Sequence, residues 1–444
     1  MIMYDNDPPH GNELSSNLQS KHVVMIALGG VIGAGFFVGS STAIAQAGPI
    51  VLLAYAVAGI LVFFVNVMMK DLALYFPGKQ SFLGHIELTL GGRAAFLAAW
   101  SYWLIWVTVV AIEAIAMANI LSVFIDFPKT PIELTFIFII TVMNCLSVEN
   151  YGFLEYVLSF IKIAAILLFL IICMGYVCND FSIVKKNLLV SQGIAPNGWI
   201  SMVCAIPTIV FSMGGSEIAT IAAVESGEDR KSISNSIKSV ALRIGGLYLT
   251  SIVFIIICIP WTSIKSGHSP FLEVLKQIGI PYAQILMACV IFIAALSALN
   301  SGVYVTSRVL HNLAVSGNSL KYFEKTSDKN KIPLRALIFS SLTSSIILLS
   351  SFFSYSEIFS VLMRATGIFT IFNYFLIALA ARKIKNNNYY AYFSIFLLCS
   401  ILFFMSLVED MRGDILIGLI AYSIILFMLF IKERVVTANN IRRS

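Results

Sequence analysis

Five glycines fall within residues 28–39, LGGVIGAGFFVG, inside an apolar segment long enough to cross a bilayer. A glycine in a helix interior costs roughly 1 kcal/mol relative to alanine, and backbone left unpaired in hydrocarbon costs more. A helix so weakened is expected to break, and a break near the middle of a membrane aims bare N–H and C=O groups at a small polar ligand. Close helix packing of the small-xxx-small kind is the competing use of these glycines, and Gly29, Gly35 and Gly39 would support it equally.

The membrane setting follows from composition. Hydrophobic residues make up 59% of the 444 and charged residues 12%, against about 25% charged in an ordinary soluble domain. Residues 1–20 are polar and lack the basic start and apolar run of a cleavable signal, so the first span is expected to act as its own insertion signal. The seven cysteines lie in or beside apolar segments, with no CxxC and no histidine cluster among them. A disulfide framework, a metal site, a redox motif or another cofactor is therefore not expected. The net charge of +6 reads as membrane topology and not as a nucleic-acid surface.

Windows of about 20 apolar residues begin near residues 23, 50, 95, 132, 155, 199, 235, 280, 334, 356, 389 and 412, which predicts an all-α protein of twelve spans. Ala47-Gly48-Pro49 predicts a tight turn after the first span. Phe76-Pro77-Gly78 closes the second, before a short amphipathic piece at residues 80–90 expected to lie at the interface. With the N-terminus placed inside, Lys129, Lys185, Lys186, Lys265, Lys276 and Arg412 face outward, Lys162 and Arg364 lie within spans, and the rest of the 29 Lys and Arg residues fall inward. That is the positive-inside pattern, with both termini cytoplasmic.

A second glycine-weakened stretch, Phe211-Ser212-Met213-Gly214-Gly215-Ser216-Glu217, follows Pro207 in the sixth span. Breaks in spans one and six are five apart, which predicts two five-helix halves of opposite orientation. At about 1.5 Å per residue, Gly33 lies roughly 15 Å from the inner start of its helix. The amides of Gly33, Ala34 and Gly35 are then candidates for a carboxylate, and carbonyls freed around Phe211, Ser212 and Met213 for an ammonium. Together these fit the two charged groups of an amino acid.

Charged residues inside spans are functional candidates by default. Glu217 directly follows the second break and is read as a brace for the unwound segment or a proton carrier. Glu225 is read as a cap or a partner of Arg230 and Lys231. Lys162 sits about two turns inside the fifth span among apolar neighbours, so it either snorkels or takes part in coupling, standing where a sodium ion would stand. Its expected acceptor is a carbonyl freed near Gly30 or Val31. Glu113 and Arg364 lie at similar depth from the outer face and are expected either to pair across an outer vestibule or to face water separately. Trp100, Tyr102, Trp103 and Trp106 are candidates for substrate contact, but their spacing at the entry of a helix reads first as an interfacial belt.

The runs LGGVIGAGFFVGSSTAIAQAGP, YWLIWVTVVAIEA, FSMGGSEIATIAAVES and LSALNSGVYVTSRVLHNLAVSG resemble, in this order, the amino acid permeases of the amino acid, polyamine and organocation superfamily. The likeness is strongest to bacterial 4-aminobutyrate (GABA) permeases and spans nearly the whole chain. It implies a five-plus-five inverted-repeat fold with broken helices 1 and 6 and two further C-terminal helices. By residues, that means a tail at 1–21, repeats at about 22–178 and 199–382, helices 11 and 12 at about 389–432, and a tail at 433–444. The resemblance assigns Ile32, Gly33, Ala34 and Gly35 to the substrate carboxylate and Phe211 to an aromatic gate. It matches Lys162 to a lysine in a sodium-like site and Glu217 to a helix-six glutamate, and it puts Ser297 and Asn300 on the path. Met213, Gly214 and Arg364 depart from the usual pattern and border the expected pocket. Lys70-Asp71-Leu72 stands where the pattern has Gly-Glu-Met, with Asp71 near the place of its glutamate.

The resulting expectation is a secondary transporter of the bacterial inner membrane, carrying an amino acid inward with a proton by alternating access. An exchanger on the same fold is the first alternative. A non-transporting amino acid sensor is the second, and would be expected to carry more than the short tails at 1–21 and 433–444. An enzyme is not expected, because no phosphate loop, metal-ligand spacing or nucleophile–base pair is present in the sequence.

Overall fold

The computed structural model describes residues 31–76, 81–145, 151–188, 193–215, 230–327, 331–350, 355–385 and 388–441. Among them there are helices and turns and no strands. Glu217 and Glu225, with Gly29 and Gly30, lie outside the described residues.

In chain order the helices are α1 (Ala34–Phe37), α2 (Gly39–Ala47), α3 (Val51–Tyr75), α4 (Phe82–Leu90), α5 (Gly92–Leu121), α6 (Lys129–Asn144), α7 (Tyr151–Asn179) and α8 (Ser182–Leu188). They continue with α9 (Ile200–Ser212), α10 (Arg230–Cys258), α11 (Pro270–Ile278), α12 (Ala283–Val315), α13 (Leu334–Leu349), α14 (Tyr355–Ile384), α15 (Tyr389–Leu407) and α16 (Glu409–Ile441). The starts of α3, α5, α6, α7, α9, α10 and α12 to α16 lie within a few residues of positions read from hydropathy, whereas α4, α8 and α11 are short helices between those positions.

Among the described residues, seven stretches are long and apolar enough to cross a membrane, and Ile200–Ser212, Leu242–Cys258 and Leu334–Leu349 are shorter apolar helices. The first stretch, Ala34–Tyr75, has 42 residues, roughly 60 Å at helical rise and twice the hydrocarbon thickness. It is divided at Gly48, whose φ of +69° is a conformation that glycine adopts without strain, with Pro49 at the start of the following 3-10 turn.

The helices are sorted into a centre and a periphery. The most apolar window of α5 is 89% buried, whereas that of α16 is 17% buried, so α5 is the axis around which α12, α14, α6 and α13 pack. Large side chains such as Phe138, Ile171, Phe396 and Phe427 stand exposed on the outer helices, a belt that hydrocarbon and not water would cover. Local signals set the ends: the Ser81 hydroxyl accepts from Gly84 N at the start of α4, and the Asn388 side chain accepts from Ala391 N at the start of α15. Pro207 inside α9 has no N–H to donate. Its carbonyl packs so closely on α14 that a Cβ at Gly367 would fall 2.2 Å from the oxygen.

Candidate functional site

The first glycine cluster does break its helix. Val31 is helical, Ile32 carries no regular structure, and α1 starts with Gly33 as its N-cap. Phe36 N and Phe37 N donate to Gly33 O at 3.2 and 3.4 Å, so the amides before them have no acceptor within the helix. One of them is taken: Ala34 N donates to Glu113 Oε2 at 3.1 Å, and the carboxylate comes from the centre of α5. A Cβ at Gly33 would lie 2.8 Å from Glu113 Oε1. Glycine is therefore required there for the carboxylate to lie against the break.

The second cluster ends α9. Met213 caps it, Gly214 N donates to Phe211 O at 2.9 Å, and Gly215 turns away with φ of +94°. The two breaks touch, since a Cβ on Gly35 would meet Phe211 Cε1 at 3.2 Å and Ser212 Cα at 3.3 Å. A residue the sequence did not flag joins them. The Tyr248 hydroxyl of α10 lies 3.2 Å from Val31 O and 3.0 Å from Ser212 O, sharing its hydrogen between two carbonyls freed by the two breaks. Tyr248 is fully buried and stacks on Phe36 with ring centroids 3.8 Å apart. Two of the three carbonyls expected to await an ammonium, those of Phe211 and Ser212, thus already accept one hydrogen bond, and each keeps a second lone pair.

Below the breaks lies a cavity of about 740 Å³, counting its open mouth. Gly33, Gly35 and Glu113 form one end, and Phe211, Ser212 and Gly214 one wall. Tyr102 and Trp106 of α5, Asn373, Tyr374 and Ile377 of α14, and Phe82 of α4 lead away toward the side on which α5 begins. Glu113 and Tyr102 are separated by roughly 16 Å at helical rise.

Several expected residues sit elsewhere. Ile32, Ala34 and Met213 are buried beside the cavity without lining it. From α12 it is Ala298 that faces the cavity. Ser297 instead accepts from Lys162 Nζ at 3.1 Å, and Asn300 accepts from Asn144 Nδ2 at 2.7 Å. Lys162 is 1% exposed, so it does not snorkel. Its described bond goes to Ser297, and Val31 O accepts from Tyr248. The lysine still borders the break, because Ala298, next to Ser297, has its Cβ 3.2 Å from where a Gly33 Cβ would be.

Two further expectations are corrected. Arg364 does not pair with Glu113; its Nε donates to Asp414 Oδ2 at 2.5 Å, joining α14 to α16. The tryptophans do not form an interfacial belt. Trp100, Trp103 and Trp106 are all at most 8% exposed, with Trp100 Nε1 donating to Asn318 O and Trp103 Nε1 to Ser340 Oγ. Their spacing on α5 resembles an anchor, but α5 is the central helix and its aromatic face meets protein.

At the opposite end from the cavity mouth the helices are tied shut. Thr42 Oγ1 and Ser266 Oγ lie 2.6 Å apart, and Ser266 Oγ and Ser360 Oγ 2.5 Å apart, linking α2, the loop before α11, and α14. Gly267 N donates to Ser41 Oγ at 3.0 Å, and Asn119 Nδ2 donates to Gly267 O at 3.1 Å.

A helix start and a helix end in contact at two glycine clusters, within an apolar helical bundle and above a polar-ended cavity, are the arrangement expected of a carrier of a small polar molecule. The chain belongs to the amino acid permease family, whose model matches residues 22–443. It is 33% identical to the gamma-aminobutyric acid permease of Bacillus subtilis (strain 168), over 95% of each chain. It is 35% identical to the gamma-aminobutyric acid permease of Escherichia coli (strain K12), over 86% of this chain and 83% of that one. It is also 30% identical to the aromatic amino acid transport protein AroP of Salmonella typhimurium (strain SL1344), over 84% and 82% of the two chains. The protein is a multi-pass membrane protein of an amino acid transport family.

Proposed function

We propose that this permease carries an amino acid into the cell together with a proton, by alternating access around the two helix breaks. The observation that carries the reading is the bond from Ala34 N to Glu113 Oε2. The amides expected to hold a substrate carboxylate already hold one from the protein. Two carboxylates at one break repel unless one is neutral or moves away, so substrate entry favours a protonated or displaced Glu113. That links the substrate to a proton. Lys162, bonded to Ser297 beside the break, supplies a fixed buried cation that senses whether the Glu113 charge is present. Gly33, Ala34 and Gly35 serve the substrate carboxylate, Phe211 to Gly214 its amine, and Phe211 closes the path as a gate.

Twelve spans arranged as repeats at about 22–178 and 199–382, followed by two further helices, are the architecture this mechanism uses. With both termini cytoplasmic in a bacterial inner membrane, the cavity mouth faces inward, and Arg364 and the Thr42–Ser266–Ser360 hydroxyls keep the outer side closed. The relatives' names make GABA and aromatic amino acids the first candidates to try. Uptake of labelled amino acids into proteoliposomes, with and without a pH gradient, tests the reading. Accumulation that follows the gradient is expected, and Lys162→Ala should lose that dependence while retaining exchange. Exchange indifferent to the gradient in the unmodified protein would make it an antiporter instead.

A further inference from the structure

Asn373 is 3% exposed and lines the cavity, yet neither its Nδ2 nor its Oδ1 has a hydrogen-bond partner among the described residues. Trp106, 8% exposed on the facing helix α5, lines the same cavity, and its Nε1 is likewise without a partner there. Most buried polar groups in proteins are paired, and an orphan calls for an explanation. The neighbouring polar side chain on α14 has its own, since Thr370 Oγ1 donates to Thr366 O at 2.9 Å. Asn373 and Trp106 together present one acceptor and two kinds of N–H donor to a cavity that Ile105, Val109, Tyr374 and Ile377 also line.

We propose that Asn373 and Trp106 form a subsite for the distal end of the substrate, and that the group it takes is a neutral side-chain carboxamide. The inference rests on the amino acid reading of the breaks and adds the class of side chain. A carboxamide meets Asn373 with a reciprocal pair of bonds, N–H to Oδ1 and C=O from Nδ2, and its oxygen has a second lone pair for Trp106 Nε1. A carboxylate leaves Oδ1 unmet. An ammonium leaves both donors unmet, and an aliphatic end leaves all three atoms buried without partners. Leaving even one such atom unpaired weakens binding by about tenfold.

The test is a thermal-shift titration of the purified full chain with L-glutamine, with L-glutamate, and with L-homoleucine, which puts methyls where glutamine has its amide oxygen and nitrogen. Glutamine is expected to bind about tenfold or more tightly than either analogue. Asn373→Leu should abolish that preference while leaving homoleucine binding in place, and Trp106→Phe should reduce it. Homoleucine or glutamate binding as tightly as glutamine overturns the carboxamide subsite while leaving the amino acid reading intact, and so does an undiminished preference in Asn373→Leu. Should that variant fail to fold, the preference of the unmodified chain and of Trp106→Phe still decides. If no amino acid, GABA included, stabilises the protein, the amino acid reading itself fails and the subsite with it.

Discussion

The two ends of the space between α2, α5, α9 and α14 are built from opposite materials. At one end, backbone is left open: one helix starts at Gly33 after the irregular Ile32, another ends at Ser212 before the turn Met213–Gly215, a carboxylate lies on a bare amide, and the Asn373 side chain and Trp106 Nε1 have no hydrogen-bond partners among the described residues. At the other, side chains close on one another: three hydroxyls in a chain, a loop amide on Ser41, and the Arg364–Asp414 ion pair. The open end includes polar main chain, which cannot be relieved by a rotamer change. The closed end is held by side chains, which can part without unfolding a helix. A carrier needs a site of the first kind and a gate of the second.

The comparison breaks most visibly at Arg364. Its side chain is 17% exposed and that of Asp414 is 4% exposed, so Arg364→Gln strands a buried carboxylate and should destabilise the protein by about 3–5 kcal/mol. Chemical unfolding in detergent would measure this. The double change Arg364→Leu with Asp414→Leu should recover most of the loss, and no recovery would mean that the pair is not the cause. Next comes the junction of the two ends, where Gly367→Ala drives a Cβ into Pro207 O. Overpacking of this kind costs about 1–3 kcal/mol, and an unchanged unfolding midpoint would refute the close approach of α9 to α14. The smallest effect is expected from Thr42→Val with Ser360→Ala, which removes the hydroxyl chain at about 1 kcal/mol per bond. Amide exchange in residues 261–269 should quicken several-fold while exchange in residues 33–37 is unaltered; equal changes in both would erase the distinction between the ends.

Much of this was legible in the sequence, for identifiable reasons. Hydropathy located the helices because lipid demands continuous apolar runs. The breaks were visible because glycines concentrated inside such runs are costly unless used, and regular helix is absent at Ile32–Gly33 and ends at Ser212. What could not be read was direction. Ser297, Ala298 and Asn300 share one helix, and spacing alone does not tell which of them faces the cavity; the structure gives it to Ala298. Trp106 and its neighbours resembled an interfacial belt because aromatic spacing is the same on a central helix as on a peripheral one. Tyr248 and Asn373 carried no local signal at all. One is a tyrosine in an apolar run and the other an asparagine in a mixed helix, and only the packing of α10 and α14 against the breaks gives them significance. Arg364 was noticed as a charge within a span, but its partner Asp414 lies 50 residues away in the last helix, a pairing that no periodicity encodes.

The central claim is that the carboxylate lying on Ala34 N ties substrate binding to a proton, and Glu113→Gln is the measurement that addresses it most directly. A glutamine keeps an oxygen for the Ala34 amide and removes the titrating charge. In proteoliposomes the variant is predicted to exchange labelled amino acid across the membrane but to gain no accumulation from an imposed pH gradient. Full gradient-driven accumulation by Glu113→Gln, equal to that of the unmodified permease, would contradict the account.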